Sequence, residues 1–216
     1  MSGLKSQSIY RSLRERILSN EIAPGARLVL REISNHYETS DIPVREALRM
    51  LERDGLVEIA AFRGARVTTL SDREIRETYF VRGHLESIAT GLAAENITDE
   101  CLEDLEELMV QMRAAVVNQD GARFSEINHR FHETIVEASG NELLYQLTMD
   151  IWQRHSGFQR VFRMVPERLA QSQDEHEEIM DALKARDASR AADLAMAHKR
   201  SVGQSVEKLL DDAYDG

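Results

Sequence analysis

The sequence predicts a mainly α-helical protein in two parts: an N-terminal winged helix-turn-helix with a small β-hairpin wing, and a C-terminal all-α antiparallel helical bundle. Three stretches with helical spacing of apolar residues precede two short β-type segments, and beyond residue 70 no strand pattern occurs. A length of 216 residues with 42% hydrophobic residues is sufficient for two packed cores. We place the domains at residues 1–70 and 71–216.

Turn signals separate the predicted N-terminal elements. A first helix begins near Ser6 and ends before Ala23-Pro24-Gly25, and a short second helix contains Leu30 and Tyr37. A third helix begins near Ser40 and directs four apolar residues inward: Val44, Ala47, Leu48 and Leu51. The next stretch, LVEIAAFRGARVTTL, has β-branched residues on either side of Arg63-Gly64, which predicts a hairpin.

Helical periodicity continues through the second part. Ser71 and Glu74 have the spacing of a capping box where this part begins. Six helices are predicted, at roughly 72–96, 99–118, 121–138, 141–164, 166–185 and 188–211. The connections between them are short, and short connections favour antiparallel neighbours in a bundle.

Charge is distributed unequally along a chain whose net charge is −11. Residues 1–70 carry 11 Lys and Arg against 9 Asp and Glu, whereas the remainder carries 16 against 29. Only the first part therefore suits a polyanionic partner. The single cysteine, Cys101, excludes an internal disulfide and a thiolate metal site. The sequence has neither a membrane-spanning run nor a signal-peptide pattern, so we expect a cytoplasmic protein that binds no membrane.

The stretch PGARLVLREISNHYETSDIPVREALRMLERDGLVE contains the parts of a helix-turn-helix: a turn, a packing helix and a recognition helix with polar residues at its start. Spacing alone leaves DNA binding undecided. The stretch resembles the GntR family of bacterial repressors, with matches at Pro24-Gly25, Pro43–Leu48, Leu51-Glu52, Gly55–Val57 and the wing glycine, Gly64. The resemblance implies a transcriptional regulator that binds double-stranded DNA.

The resemblance also implies that basic and hydroxyl side chains near the recognition helix contact DNA. By position these are Arg31, Ser40 and Arg45, and Gly64 allows the wing to approach the minor groove. Arg45 can bind a guanine edge through two hydrogen bonds or clamp a phosphate. Alternatives to DNA contact stay open for two of these residues. Ser40 could instead be a helix cap and nothing more, and Arg31 could instead be a surface ion-pair partner.

The chain departs from the best-known, fatty-acid-responsive member of that family at Asp41 and Ile42. Asp41 can accept a hydrogen bond from cytosine N4, and Ile42 can pack on a thymine methyl group, so we expect a different operator. Arg49 is assigned to the phosphate side of the same surface, with a merely solvated side chain as the alternative. Because one recognition helix reads only a few base pairs, we expect a homodimer on an inverted-repeat operator.

Four residues of the second part have the types and spacing of a metal site. Asn128 and His132 lie four residues apart on one predicted helix, and His176 and His198 lie on the last two helices. Spacing alone also allows them to be polar surface residues. The segments around them, and Arg82-x-x-Leu85-Glu86, resemble the FCD domain of the FadR subfamily, in its VanR-like six-helix branch. The resemblance implies a divalent metal on these four residues, for which we predict zinc, with nickel or manganese as alternatives.

The predicted donor set is electrically neutral, because it consists of three imidazoles and one amide. The uncompensated charge of a divalent cation then favours an anionic effector such as a small organic acid. Arg82 is a candidate clamp for its carboxylate, although an intrahelical ion pair with Glu86 explains this arginine equally well.

Three functions compete at this stage. The leading interpretation is a regulator, most simply a repressor, controlled by an effector at the metal site. The second is a DNA-binding regulator whose metal-free helical domain only dimerises. The third, a metal-dependent hydrolase with Glu133 or Glu177 as its base, is disfavoured, because each glutamate directly follows a proposed ligand and points about 100° away from it. We therefore expect no enzyme.

Overall fold

The computed structural model describes residues 2–18, 21–60, 64–68, 72–154 and 166–214 of the chain. The chain separates into two compact units. The boundary between the N-terminal unit and the start of the C-terminal unit lies between Leu70 and Ser71. Each unit contains an apolar cluster of its own. Among the described residues, no helix is both long enough and apolar enough to span a membrane.

Three helices form the core of the N-terminal unit: α1 (Ser2–Leu18), α2 (Leu30–His36) and α3 (Asp41–Arg53). Apolar residues that recur every three or four positions on α1 and α3 lie in one cluster. The inward face predicted for the third helix is confirmed, because all four of its predicted residues are buried: Val44, Ala47, Leu48 and Leu51.

A small antiparallel sheet completes the N-terminal unit. Its strands are β1 (Arg27–Leu28), β2 (Val57–Ala60) and β3 (Gly64–Val67), in the order β1-β3-β2. In this register Leu28 lies opposite Ala65. The predicted hairpin is confirmed as β2 and β3, whereas β1 was not predicted, because two residues are too few to show strand alternation.

Gly64 begins β3 with a φ of +81°, in the left-handed region that side chains disfavour. Arg63, the other residue of the predicted hairpin turn, lies outside the described residues, as does Ser71 of the predicted capping box. The wing therefore uses a glycine at the position where its second strand begins.

The described part of the C-terminal unit contains six helices, numbered α4 to α9: Asp72–Asn96, Asp99–Val117, Gly121–Ala138, Glu142–Arg154, Pro166–Lys184 and Ala188–Tyr214. Their boundaries agree closely with the predicted ones. The exception is the fourth predicted helix. It was predicted to continue to residue 164, and residues 155–165 lie outside the described part. Local signals set the boundaries, since the Asn141 side chain accepts a hydrogen bond from the Leu144 amide and so caps α7.

Helices α4 and α9 pack closely because glycines lie where they meet. A methyl group placed on Gly91 would lie 3.2 Å from the carbonyl oxygen of Ala188, and one on Gly203 would lie 3.3 Å from Cβ of Tyr79. Such short separations leave room for a hydrogen atom but not for a side chain. The close approach positions the polar residues of these two helices beside each other.

The N-terminal core supplies the first testable prediction. Leu51→Ala should lower the free energy of opening of the N-terminal unit by about 2–5 kcal/mol, because Leu51 is fully buried between α1 and the sheet and its loss leaves a cavity. Hydrogen exchange of the most protected amides of α1 and α3 measures this energy. Ile42→Ala on the same helix is the control, and it should change the energy by under about 0.5 kcal/mol because Ile42 is 65% exposed. Equal effects of the two substitutions would contradict this core.

Candidate DNA-binding surface and metal centre

Helix α3 presents a polar face opposite its buried face. Arg45 and Arg49 are exposed one turn apart on this face, and Ile42, one turn before Arg45, is 65% exposed. Arg31 on α2 is exposed as well. Within the described residues none of these three arginines forms an ion pair or a hydrogen bond. Their cationic groups are thus available for an anionic partner.

The start of α3 carries the two remaining polar residues of this surface. Ser40 occupies the N-cap position, but its side chain makes no capping hydrogen bond, so the capping alternative receives no support from the geometry. Asp41 Oδ1 accepts a hydrogen bond of 2.7 Å from the buried Ser34 hydroxyl, which joins α2 to α3. The sequence analysis missed this structural role. A carboxylate has a second oxygen, so the contact is compatible with the predicted cytosine contact.

Gly64 lies on the exposed side of the wing. A Cβ atom built on this glycine would meet nothing within 4 Å, so space within the unit does not require glycine here. The positive φ does favour glycine, and the lack of a side chain leaves the backbone open to close approach by a partner.

Three histidines from three helices meet inside the C-terminal unit. His132 of α6, His176 of α8 and His198 of α9 are all buried, and the ring nitrogens that they offer lie within 4.8 Å of one another. We call these three residues the imidazole cluster. The Nε2 atoms of His132 and His176 are 3.2 Å apart. The structure therefore brings together all three histidines that the sequence analysis selected.

Burial keeps the imidazole cluster uncharged. It lowers the pKa of each of the three histidines well below the usual value, and the nearby charge of Lys199 acts in the same direction. Burial also lowers the pKa of Lys199 itself, to about 8. Neutral imidazole is the form that ligates a metal, because its unprotonated nitrogen supplies the lone pair.

A carboxylate and a guanidinium lie behind one member of the cluster. Glu175 Oε2 lies 2.6 Å from His198 Nδ1, and the two oxygens of Glu175 accept hydrogen bonds of 2.9 and 2.5 Å from Arg168. His198 therefore directs its Nδ1–H at a carboxylate. Its other nitrogen, Nε2, is buried and has no hydrogen-bond partner among the described residues.

A buried carboxylate, Glu86, lies near another member of the imidazole cluster, His132. Glu86 Oε2 is 2.7 Å from the Lys199 ammonium group and 3.8 Å from His132 Nδ1, and Glu86 Oε1 is 3.1 Å from Arg82 Nε. The ion-pair alternative considered for Arg82 thus occurs in the structure. The sequence analysis did not find Lys199, Glu175 or Arg168, because side-chain type alone does not distinguish a buried charge from a surface charge.

Asn128, the fourth predicted ligand, lies one turn before His132 on α6. Its Oδ1 atom is buried and has no hydrogen-bond partner among the described residues. A buried carbonyl oxygen without a partner is unfavourable unless something else satisfies it. Two nitrogens bound to one tetrahedral zinc at about 2.0–2.1 Å would lie about 3.3 Å apart, close to the spacing observed between His132 and His176. The residues present therefore fit a divalent metal.

The glutamates considered for a hydrolase have other contacts. Glu133 accepts a hydrogen bond of 3.0 Å from the Tyr145 hydroxyl, and Glu177 accepts one of 2.7 Å from Arg113. Hydrogen bonding to Arg113 lowers the pKa of Glu177. Each of these carboxylates is thus held by another side chain at a partly exposed position, which is unlike a base poised over a buried metal.

The fold and the site define a winged-helix DNA-binding protein with a histidine-containing helical domain, and comparison with known families agrees. The model described as "Bacterial regulatory proteins, gntR family" matches residues 5–67. The model described as "FCD domain" matches residues 77–201. The chain belongs to the FCD-domain family and carries a helix-turn-helix domain of the GntR type.

Individual relatives bear the names of transcriptional regulators. The chain is 29% identical over 215 residues to the HTH-type transcriptional repressor RspR of Escherichia coli, covering 97% of this chain and 92% of that protein. It is 28% identical over 169 residues to the gluconate operon transcriptional repressor of Bacillus licheniformis, covering 78% and 68%. The solved structure of Escherichia coli McbR superposes with a TM-score of 0.73 at 24% identity, covering 97% and 98%.

These matches define the class of activity. Both families, and the relatives named here, are transcription regulators and not enzymes. The chain is therefore a DNA-binding transcriptional regulator, and the hydrolase interpretation is excluded.

Proposed function

We propose that this regulator is a repressor whose operator affinity is controlled by a small organic acid bound at a divalent metal in the imidazole cluster. One observation carries the proposal: the buried Nε2 of His198 has no hydrogen-bond partner in the part of the chain that the structure describes, yet its ring lies beside two other uncharged imidazoles. A buried nitrogen lone pair without a partner is costly in a folded protein, and a metal ion would satisfy it.

The proposed metal ligands are Asn128, His132, His176 and His198. Three imidazoles and an amide oxygen suit zinc, and nickel or manganese are the alternatives. An amide is a weaker ligand for a divalent cation than a carboxylate, so we expect moderate affinity. A bound divalent cation supplies positive charge and coordination positions that a carboxylate can occupy.

Charge around the imidazole cluster supports an anionic effector. Ion pairs among the described residues of this region join three cationic side chains, Arg82, Arg168 and Lys199, to two carboxylates, Glu86 and Glu175. Within this set of five side chains the positive charges exceed the negative ones, and a divalent cation would add to the excess. The name of one relative, the gluconate operon repressor, includes an organic acid.

Arg82 remains our candidate for the effector's carboxylate. Its contact with Glu86 uses Nε, and a guanidinium has five N–H donors. Its side chain is partly exposed, whereas Glu86 is buried, so Arg82 lies at the outer side of this ion pair. An anion that reached Arg82 would meet the outermost of the three cationic groups.

We assign DNA contact to Arg31, Ser40, Asp41, Arg45, Arg49 and Gly64. The exposed arginines without partners support phosphate or base contacts, and the exposed Ile42 supports a contact with a thymine methyl group. We propose residues 1–70 as the DNA-binding domain and 71–216 as the sensing domain. The effector acts by favouring one placement of the DNA-binding domains over another, because ligand control requires different affinities for two states.

The proposed homodimer gains support from an apolar strip on the C-terminal unit, formed by Phe80 and Ile88 of α4 and Leu143 and Leu147 of α7. Phe80 is 68% exposed and Leu143 is 66% exposed. Buried residues of the same two helices, Ala89 and Leu144, belong to one apolar cluster. Large exposed apolar groups are typical of an interface when they lie together, and we propose that this strip is one.

A metal-free, purely dimerising domain is the second candidate function. The 3.2 Å spacing between the Nε2 atoms of His132 and His176 favours it, because a hydrogen bond between two imidazoles has the same length when one of them carries the proton. Metal analysis separates this candidate from the first.

Arg45→Ala should weaken binding to an operator selected from random DNA by about 1–3 kcal/mol, because it removes a cationic group with two donor positions from α3. Fluorescence anisotropy at one fixed salt concentration measures the affinity. Arg11→Ala, an exposed arginine of α1, is the matched control and should leave affinity nearly unchanged. Equal losses in the two variants would remove Arg45 from the specific contact.

The purified chain should hold about one divalent metal per subunit, and His176→Ala should lower this occupancy, since it removes one of four protein ligands. Asn128→Asp should raise metal affinity by adding a negative ligand. Elemental analysis after dialysis measures occupancy, and competition with a chelator measures affinity. His84→Ala, at an exposed histidine outside the cluster, is the control. Full occupancy in His176→Ala would refute the assignment.

Leu143→Lys should shift the chain toward monomer, because a charge at the centre of a buried apolar interface lacks a partner. Sedimentation over a range of concentrations measures the dimer constant. Val117→Lys on α5, at a position 78% exposed and outside the strip, should have no effect. A monomeric wild-type chain on its operator would contradict the homodimer itself.

Small organic acids should alter DNA affinity only in the metal-loaded chain. Titrating candidate acids and their neutral amide analogues against loaded and chelator-stripped protein, with DNA affinity as the readout, tests the metal and the charge together. Activity of the amides, or equal activity on stripped protein, would mean that this effector mechanism is wrong.

A further inference from the structure

Glu175 lies between a buried guanidinium and one of the proposed metal ligands. Both of its oxygens are held by Arg168, whose side chain is only 1% exposed. One of those oxygens also lies 2.6 Å from His198 Nδ1. A carboxylate paired with a guanidinium can only accept hydrogen bonds, so His198 must carry its proton on Nδ1.

We propose that Arg168 and Glu175 are positioning residues for the metal centre: the guanidinium holds the carboxylate, and the carboxylate holds His198 in the tautomer whose Nε2 can ligate. The proton bound to Nδ1 leaves the lone pair on Nε2, the buried atom for which the described residues supply no partner. Carboxylates behind ligating histidines commonly orient the ring and increase its basicity. This inference rests on the metal proposed for the imidazole cluster.

Glu86, the other carboxylate near the imidazole cluster, does not have the same geometry. Glu86 Oε2 lies 3.8 Å from His132 Nδ1, beyond hydrogen-bond distance, and its short contact is with Lys199. His176 has no carboxylate on its Nδ1, which is buried without a partner among the described residues. Phe131 packs against the His176 ring, with 4.8 Å between ring centres. Of the three histidines, His198 is thus the one whose tautomer a carboxylate determines.

Glu175→Gln tests this assignment with little change in side-chain shape. The amide oxygen is expected to accept from Arg168, and the amide NH₂ group then faces Nδ1 of His198. An NH₂ group is a donor, so it favours the opposite tautomer, in which Nε2 carries the proton and cannot ligate. Glu178→Gln is the matched control, because it makes the same change at an exposed position one turn further along α8.

Two measurements on the full-length chain decide the question. Nitrogen-15 NMR of metal-free protein reports the tautomer of His198, which should have Nδ1–H in the wild type and in Glu178→Gln and Nε2–H in Glu175→Gln. Competition with a chelator for Zn²⁺ should give an affinity about 10–100-fold lower for Glu175→Gln and unchanged for Glu178→Gln. Arg168→Lys keeps the charge but removes the two-point contact, and it should lower Zn²⁺ affinity by a smaller factor.

The possible failures are distinguishable. A wild-type His198 that carries its proton on Nε2 overturns the inference without any variant, even if Glu175→Gln fails to fold. Normal Zn²⁺ binding in the wild type with unchanged affinity in Glu175→Gln overturns only the positioning role. A wild-type chain that binds no divalent metal overturns the proposed metal centre, and the positioning role with it.

Discussion

Three imidazole rings lie together inside the C-terminal unit, and burial disfavours their charged form by removing the solvation that an imidazolium needs. Several charged side chains around the cluster are arranged in contact with these rings or with each other. Neutral rings need partners for their nitrogens, and Glu175 supplies one to His198. Carboxylates away from bulk water need cations in turn, and Arg168 and Lys199 supply them to Glu175 and Glu86. The polar interior is thus organised outward from the rings.

This arrangement depends on helices that are far apart in sequence. Glu86 belongs to α4 and Lys199 to α9, and their ion pair of 2.7 Å needs the two helix axes to run close together. Gly91 and Gly203 permit that approach, because a side chain at either position would press on the neighbouring helix. The FCD domain therefore combines a close contact between α4 and α9, which glycines permit, with an ion pair between the same two helices. The ion pair needs the two helices to stay close together.

The N-terminal unit divides two tasks between the faces of one helix. The inner face of α3 supplies Val44, Ala47, Leu48 and Leu51 to the core, while its outer face presents Arg45 and Arg49 without partners among the described residues. Asp41 joins the tasks, because its bond to Ser34 holds α2 and α3 together at the end that carries the candidate DNA contacts. A rigid core thus supports a surface whose side chains remain available to a ligand.

Local pattern was sufficient to predict the helices, the hairpin and the selection of His132, His176 and His198, because periodicity, capping residues and family motifs are properties of neighbouring residues. It was insufficient for β1, whose two residues are recognisable as a strand only when paired with β3. It was equally insufficient for Arg168, Glu175 and Lys199, since a charged residue has the same spacing on a helix whether it faces water or the interior. The sequence by itself determined the family, the order of elements and the candidate ligands. Only tertiary packing decided which charges are buried and which atoms they meet, because burial and contact depend on segments that lie far apart in the sequence, as Glu86 and Lys199 do.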